Sequence, residues 1–184
     1  VGNCELSPIA TFYMGLPMDV VYNPLSNPYL DAMVQRRREV LPCGFIPRKQ
    51  ALRKLFRSLK QGRSVGLLVD YRVDDGVLVP FFGEDAKTTN AAAWLSVKTQ
   101  RSIVPIQVER LGAAHPARRP RFRITFHAPI RLDDSPPDEA VQIALLTREM
   151  NRRVEAFVAA HPEQWWCTKR RWPKQAMKKR GAYK

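Results

Sequence analysis

G-L-L-V-D-Y-R-V-D-D-G-V-L-V-P-F-F-G-E-D-A-K-T-T, residues 66–89, is the stretch on which the fold turns. An apolar run, Val65–Val69, ends in Asp70 and Arg72. Asp74-Asp75-Gly76 is a turn signal, a second apolar run covers Val77–Phe82, and Gly83 follows. The pattern predicts two buried strands, with Thr88-Thr89 opening a helix. Charged groups at strand ends beside a helix N-terminus suit an anion or a polar headgroup. An ordinary hairpin with a capped helix has the same pattern.

Outward from that stretch, strands alternate with helices. On the N-terminal side, Ile9, Phe12, Tyr13 and Leu16 lie at helical spacing, and Gly15 and Pro17 end that helix. Short strands are predicted at Val20–Tyr22 and Gly44–Pro47, with a helix between them from Pro28 to about Val40. Ala51–Gln61 is sharply amphipathic, with Leu52, Leu55, Phe56 and Leu59 on one face and Arg53, Lys54, Arg57 and Lys60 on the other. On the C-terminal side, strands are predicted at Ser102–Val108 and Arg121–Ala128, with Pro105 placing the first at an edge or bulge. Asp133-Asp134-Ser135-Pro136 reads as the start of a helix to about Ala160, whose apolar positions Ile143, Leu146, Met150, Val154 and Phe157 recur at gaps of three and four. The expectation is an α/β fold, a mixed sheet flanked by helices in one domain over residues 1–167, with a basic C-terminal tail over 168–184 that carries eight Lys or Arg and no acid.

The 184 residues carry 31 Lys and Arg against 17 Asp and Glu, a net charge of +14. That excess points to a polyanionic partner: nucleic acid, an anionic membrane surface or a phosphorylated substrate. A merely solvated basic surface is the plainer reading. Nucleic-acid binding lacks zinc-finger spacing, an aromatic RNA-binding strand and a helix-turn-helix. There is no phosphate loop, dinucleotide fingerprint or G-x-S-x-G elbow. Cys4, Cys43 and Cys167 are far apart and form no C-x-x-C pair, which fits a reducing compartment. His115, His127 and His161 read as surface or capping residues. No run reaches the roughly 18 apolar residues of a membrane span.

Five motifs, taken in order, are more specific. G-N-C-E at 2–5, V-Y-N-P-L-S-N-P-Y-L-D at 21–31, the D-Y-R to T-T block at 70–89, I-V-P-I at 103–106 and H-P-E-Q-W-W to R-R-W-P at 161–173 run through the chain in sequence. Together they resemble the lipid A biosynthesis acyltransferases, the lauroyl/myristoyl-type members of the glycerolipid and lysophospholipid acyltransferase superfamily. The resemblance implies a glycerolipid acyltransferase-like fold and an O-acyltransferase that uses no cofactor. Its donor would be a fatty acyl thioester on acyl carrier protein or CoA, and its acceptor a hydroxyl of a lipid A precursor. Acylation of another glycolipid or phospholipid, or a catalytically silent anionic-lipid-binding module, are the alternatives.

The family signature, written H-x-G-N-W-E, aligns its acid with Glu5 and its G-N with Gly2 and Asn3, while Cys4 stands at the Trp position. The histidine then falls one position before Val1, so the expectation is an N-terminally truncated fragment, inactive by itself. In such a dyad a neutral imidazole removes a proton from the attacking hydroxyl and the carboxylate fixes its tautomer. By resemblance Asp70 and Arg72 occupy the second block, and Phe81, Phe82, Gly83, Thr88 and Thr89 the third. Arg72, Arg170 and Arg171 are candidate headgroup contacts, because the guanidinium fork donates two bonds to a phosphate or carboxylate. For Arg170 and Arg171 a basic tail near anionic lipid competes with that role. The family commonly has W-x-H-R-R-W there, and Cys167 and Lys169 depart from it. The basic surface would meet both an anionic membrane and an acidic carrier protein, and the resemblance places the protein on the cytoplasmic face of an inner membrane, with an anchoring helix upstream.

Overall fold

The computed structural model describes residues 5–41, 43–49, 51–112, 119–132, 138–167 and 170–179. The chain is mixed α/β, as expected, with helices set beside small parallel and antiparallel sheets. Its residues group into two compact units that divide between Leu68 and Val69.

The first unit contains α1 (Leu6–Tyr13), β1 (Met18–Tyr22), α2 (Pro28–Arg38), β2 (Cys43–Pro47), α3 (Ala51–Lys60) and β3 (Ser64–Gly66). Its three strands form a parallel sheet in the order β2-β1-β3, with helices as crossovers. Asn27 caps α2, its side chain accepting from the amides of Tyr29 and Leu30, and Pro28 follows at the first helical position. Helix α3 buries Ala51, Leu55, Ser58 and Leu59, while Leu52, expected on the same stripe, is exposed. Gly62 takes a positive φ of 78° just after α3, the conformation of a glycine that ends a helix.

Within this sheet Asp19 is nearly buried and receives two bonds from Arg63, 3.0 Å from Nε and 2.6 Å from NH2. A Cβ on Gly44, its partner in β2, would lie 2.3 Å from Asp19 Oδ1, so only glycine leaves room for the carboxylate. The Arg63 bond, aided by Ser58 and Gly44 and opposed by burial, holds the Asp19 carboxyl below the usual carboxylate range. A depressed carboxylate stabilises the fold above its unfolded pKa of about 3.9, and that stability is lost as pH falls through the lower folded value. Urea midpoints measured between about pH 3 and pH 6 should therefore fall on acidification. Asp19→Asn should flatten that decline; an unchanged slope in the variant would remove Asp19 from the explanation.

The second unit contains β4 (Val77–Phe81), β5 (Glu84–Thr88), α4 (Ala91–Thr99), β6 (Ile106–Leu111), β7 (Arg121–Phe126), α5 (Glu139–Ala160), a 3₁₀ turn (Pro162–Gln164) and α6 (Lys174–Lys179). Here the stretch 66–89 departs from its reading. The first run is a strand only to Gly66, where its pairing with β1 ends. The hairpin is β4–β5, not a pair across Asp74–Gly76, and it turns at Phe82 (φ 52°) and Gly83 (φ 74°). Two successive positive φ values make the two-residue turn whose twist matches paired strands. Thr88 therefore ends a strand, and the helix begins at Ala91 after Asn90. Val79, Phe81, Ala86 and Thr88 all face inward from the hairpin.

Helix α5 lies against α4 through Ala93, Val97, Ile130, Leu146 and Met150, the small residues of α4 allowing close approach. Asp138 caps α5, accepting from the amides of Ala140 (2.7 Å) and Val141 (3.3 Å). The start expected at Asp133–Pro136 lies outside the described residues, and the observed helix opens at Glu139. The strand expected over Ser102–Val108 begins at Ile106, after Pro105, whose carbonyl accepts from the His127 amide.

Candidate functional site

Two clusters of charged side chains emerge, one in each unit. In the first, Glu5 precedes α1 and pairs closely with Arg38, the last residue of α2. Tyr22 and Phe45 hold the Arg38 guanidinium, whose carbon lies 5.5 and 4.9 Å from their ring centres. Cations beside aromatic faces are attracted by the ring quadrupole, so Arg38 is fixed from two sides while it engages the carboxylate. As a cation in the last turn of α2, Arg38 suits the helix dipole. The structure gives it a second role, to set the position of Glu5. Asn3 lies outside the described residues.

The second cluster surrounds Arg171, which is 1% exposed. Its NH1 donates to the Lys87 carbonyl (2.6 Å) and NH2 to Thr88 Oγ1 (2.8 Å), with Asn151 Oδ1 at 3.5 Å. The guanidinium stacks 4.7 Å from the centre of the Phe81 ring. Asn151, from the buried face of α5, donates to the Pro80 carbonyl (3.1 Å) and to Thr88 Oγ1 (3.2 Å). Trp172 donates its indole N–H to the Phe81 carbonyl (2.8 Å), and Trp165 and Trp172 both pack on Phe81. Desolvation pulls the Arg171 pKa down, countered by the nearby charge of Asp70. It keeps its proton, since no plausible shift brings an arginine to neutral pH. Burial also pushes up the thiols of Cys43 and Cys167, which makes both poor nucleophiles.

Arg171, Arg72 and Lys87 line a small cavity of about 80 Å³ with Pro173. The Nε atoms of Arg72, Arg170 and Arg171 are buried without a hydrogen-bond partner among the described residues. Arg72 NH2 reaches Asp74 (3.1 Å), and Lys87 Nζ donates to the Asp74 carbonyl (2.5 Å). A larger open groove of about 690 Å³ runs past Pro80, Gly83, Leu145 and α5, with Arg131, Arg148, Arg152 and Arg153 on its walls. Glu149 there pairs with Arg152 and Arg153, and Glu155 accepts the Phe82 amide at 2.8 Å, tying the hairpin turn to α5.

Of the residues singled out from sequence, Arg72 and Arg171 line the small cavity, Thr88 accepts from Arg171, and Asp70 acts on Arg171 through its charge. Phe82 and Gly83 lie at the opposite end of the hairpin. Thr89 accepts from the Ala91 amide at 3.3 Å, and Arg170 is half-buried. Sequence reasoning passed over Lys87, Asn151 and Trp172. Asn151 carried a usable signal: a polar side chain beside Met150, on the helix face that the apolar periodicity marks as buried.

The family model for bacterial lipid A biosynthesis acyltransferases matches residues 2–174. The chain belongs to that family. The lipid A biosynthesis acyltransferase match takes in Glu5, the β4–β5 hairpin and the Arg171 segment, and it bears out the resemblance read from the five motifs. A protein described as a lipid A biosynthesis acyltransferase from Haemophilus influenzae is 23% identical over 163 residues, 88% of this chain. The chain spans about half the length of that relative, 48%.

Proposed function

We propose that the intact protein is an O-acyltransferase that moves a fatty acyl chain from an acyl carrier protein or CoA thioester to a hydroxyl of a lipid A precursor. The family match over residues 2–174 carries this reading. Glu5 acts as the carboxylate of the His-x4-Glu dyad that the family resemblance implies. The dyad histidine takes the hydroxyl proton as the oxygen attacks the thioester carbonyl. Glu5 orients the imidazole and stabilises the cation it becomes. Arg38 supports this by fixing Glu5 from a rigid aromatic seat.

No helix among the described residues is long and apolar enough to cross a membrane. The anionic inner-membrane surface is nonetheless the proposed workplace. The first unit exposes Tyr13, Tyr29 and Met33 along with Arg36 and Arg37, a composition of aromatic and cationic side chains suited to anionic lipid.

The test is acyl transfer by the intact protein, read by mass spectrometry of the lipid A precursor. The expected product is the acceptor plus one acyl chain. Glu5→Gln should lower kcat by about 10²–10⁴-fold with little change in KM, since it removes a charge needed mainly in the transition state. Absence of any acyl addition with both carrier-protein and CoA donors would overturn the reading. Faster acylation of a phospholipid in direct competition would redirect it to another acceptor.

A further inference from the structure

We infer that the exposed cationic face of α3 is the docking surface for an acidic protein, and that the acyl donor is therefore carried on a protein and not on CoA. The inference deepens the reading above and rests on it for the identity of that partner. The resemblance leaves both donors open and assigns a surface to neither.

Charge comes first. Residues 48–63 carry seven Lys or Arg and no acid. Arg63 turns inward to Asp19. Arg53, Lys54, Arg57 and Lys60 are exposed on α3, and none has a carboxylate partner among the described residues. Other surface cations are matched: Glu149 takes both Arg152 and Arg153, and Glu139 takes Lys98. Arg53, Arg57 and Lys60 recur at gaps of four and three, so they make one row about 10 Å long on the helix. Leu52, 41% exposed, borders the row, as does half-buried Phe56, whose ring centre lies 5.2 Å from the Lys60 ammonium. Cations in a row beside an apolar anchor complement an acidic helix laid alongside. A small ligand needs a concave site, which an exposed helix face does not offer.

Orientation decides between an acidic protein and the lipid surface. Neighbouring residues of a strand point to opposite faces of the sheet. On β1, the Met18 sulfur accepts from the Thr11 hydroxyl of α1 at 3.9 Å, while the next residue, Asp19, bonds to Ser58 of α3. Helices α1 and α3 therefore cover opposite faces. Tyr22 shares the face of Met18, and Phe45 pairs with Val20 on it, so Arg38 places the end of α2 with α1. The side that α1 and α2 cover exposes Phe12, Tyr13, Tyr29 and Met33 and suits the lipid surface proposed above. A bilayer met by that side is out of reach of the α3 cations. Nor has α3 an apolar face to insert, as an interfacial helix must, because Ala51, Leu55 and Leu59 are buried within the unit. Glu5 and Asp19 both act by charge on the Cys43 thiol, at the start of edge strand β2. The proposed dyad carboxylate and the face beneath α3 thus meet at one end of that strand.

The test uses the intact protein and a fluorescently labelled acyl carrier protein, with binding read by anisotropy, alongside flotation with phosphatidylglycerol vesicles. Arg53→Glu combined with Arg57→Glu should weaken carrier-protein binding about tenfold or more and leave vesicle binding unchanged. The corresponding glutamine pair, which removes charge without reversing it, should give a smaller loss in the same direction. Arg36→Glu combined with Arg37→Glu on α2 should do the reverse, weakening vesicle binding and sparing the carrier protein. Raising salt from about 50 to 200 mM should slow carrier association in the parent and have little effect in the α3 variant. Carrier-protein binding that is absent, or unmoved by both α3 pairs, overturns the proposal. So does a loss of vesicle binding in the α3 variant that matches its loss of carrier binding. Because binding is read without turnover, the two readings fail separately. Carrier binding through α3 in a protein that transfers no acyl chain sinks the acyltransferase reading and leaves the surface standing. Acyl transfer from CoA with no carrier binding does the opposite.

Discussion

Truncation of Arg171 to alanine is expected to lower the unfolding free energy of the chain by about 3–5 kcal/mol, the usual cost of removing one member of a buried, hydrogen-bonded charge network. The loss has two parts. The Lys87 carbonyl, Thr88 Oγ1 and Asn151 Oδ1 lose a shared donor in a largely buried place. Phe81 loses the guanidinium stacked on its ring, and a cavity remains. Arg171→Met separates the two, since it keeps most of the volume and drops the donors. Arg171→Lys keeps the charge, yet an ammonium cannot span two acceptors while lying flat on a ring, so it should recover little. Trp165 and Trp172 report directly on this cluster, so urea unfolding followed by tryptophan fluorescence is the measurement. An alanine variant within about 1 kcal/mol of the parent would show that the desolvation of Arg171 cancels its contacts.

Why that role escaped the sequence is a matter of distance along the chain. Arg171 sits in a run of cations near the C-terminus, the composition of a solvated tail. Its partners stand 84, 83 and 20 residues away. No local pattern encodes such pairs. What local pattern does encode was readable: α3 and α5 from their 3.6-residue stripes, and the α/β class from alternation. Strand β5 was invisible for the opposite reason. E-D-A-K-T has weak strand propensity, and only its pairing with β4 across Phe82-Gly83 makes it a strand. Once β5 is missed, Thr88 looks like a helix cap, because threonine ahead of alanines is a good N-terminus signal. The motifs reached the family where the periodicity could not, since they mark residue identities held in order over the whole chain. The candidate site was half legible: Arg72, Thr88 and Arg171 were named, while Lys87 and Asn151, which complete the cluster, were not.

Gly76→Ala should destabilise the chain by about 3 kcal/mol, at the upper end of overpacking effects. An alanine Cβ there would lie 2.4 Å from Val73 Cγ2, 2.6 Å from the Thr88 carbonyl oxygen and 2.9 Å from the Thr88 carbonyl carbon. Val73 is itself buried and Thr88 offers backbone, so neither yields cheaply. Two relaxations are open. The 74–76 turn lifts away and breaks the Val77–Thr88 pairing, or the end of β5 moves and draws Thr88 Oγ1 off Arg171 and Asn151. A double-mutant cycle with Thr88→Val, which removes the hydroxyl at nearly constant volume, decides between them. If the turn lifts, the hydroxyl's bonds survive and the two effects add to within about 0.5 kcal/mol. If β5 moves, Gly76→Ala has already broken those bonds, and the double variant is less destabilised than the sum by about 1 kcal/mol or more. The second outcome is the expected one, because Val77–Thr88 is the last pair of the hairpin and the strand end is freer to shift than a turn closed onto buried Val73. It would make Gly76 a positioning residue for the small cationic cavity: the glycine lets the turn approach β5 closely enough to bring Arg72 and Lys87 beside Arg171. A Gly76→Ala variant as stable as the parent would show instead that the turn and β5 part without strain, and would leave the close approach at Gly76 with no energetic consequence.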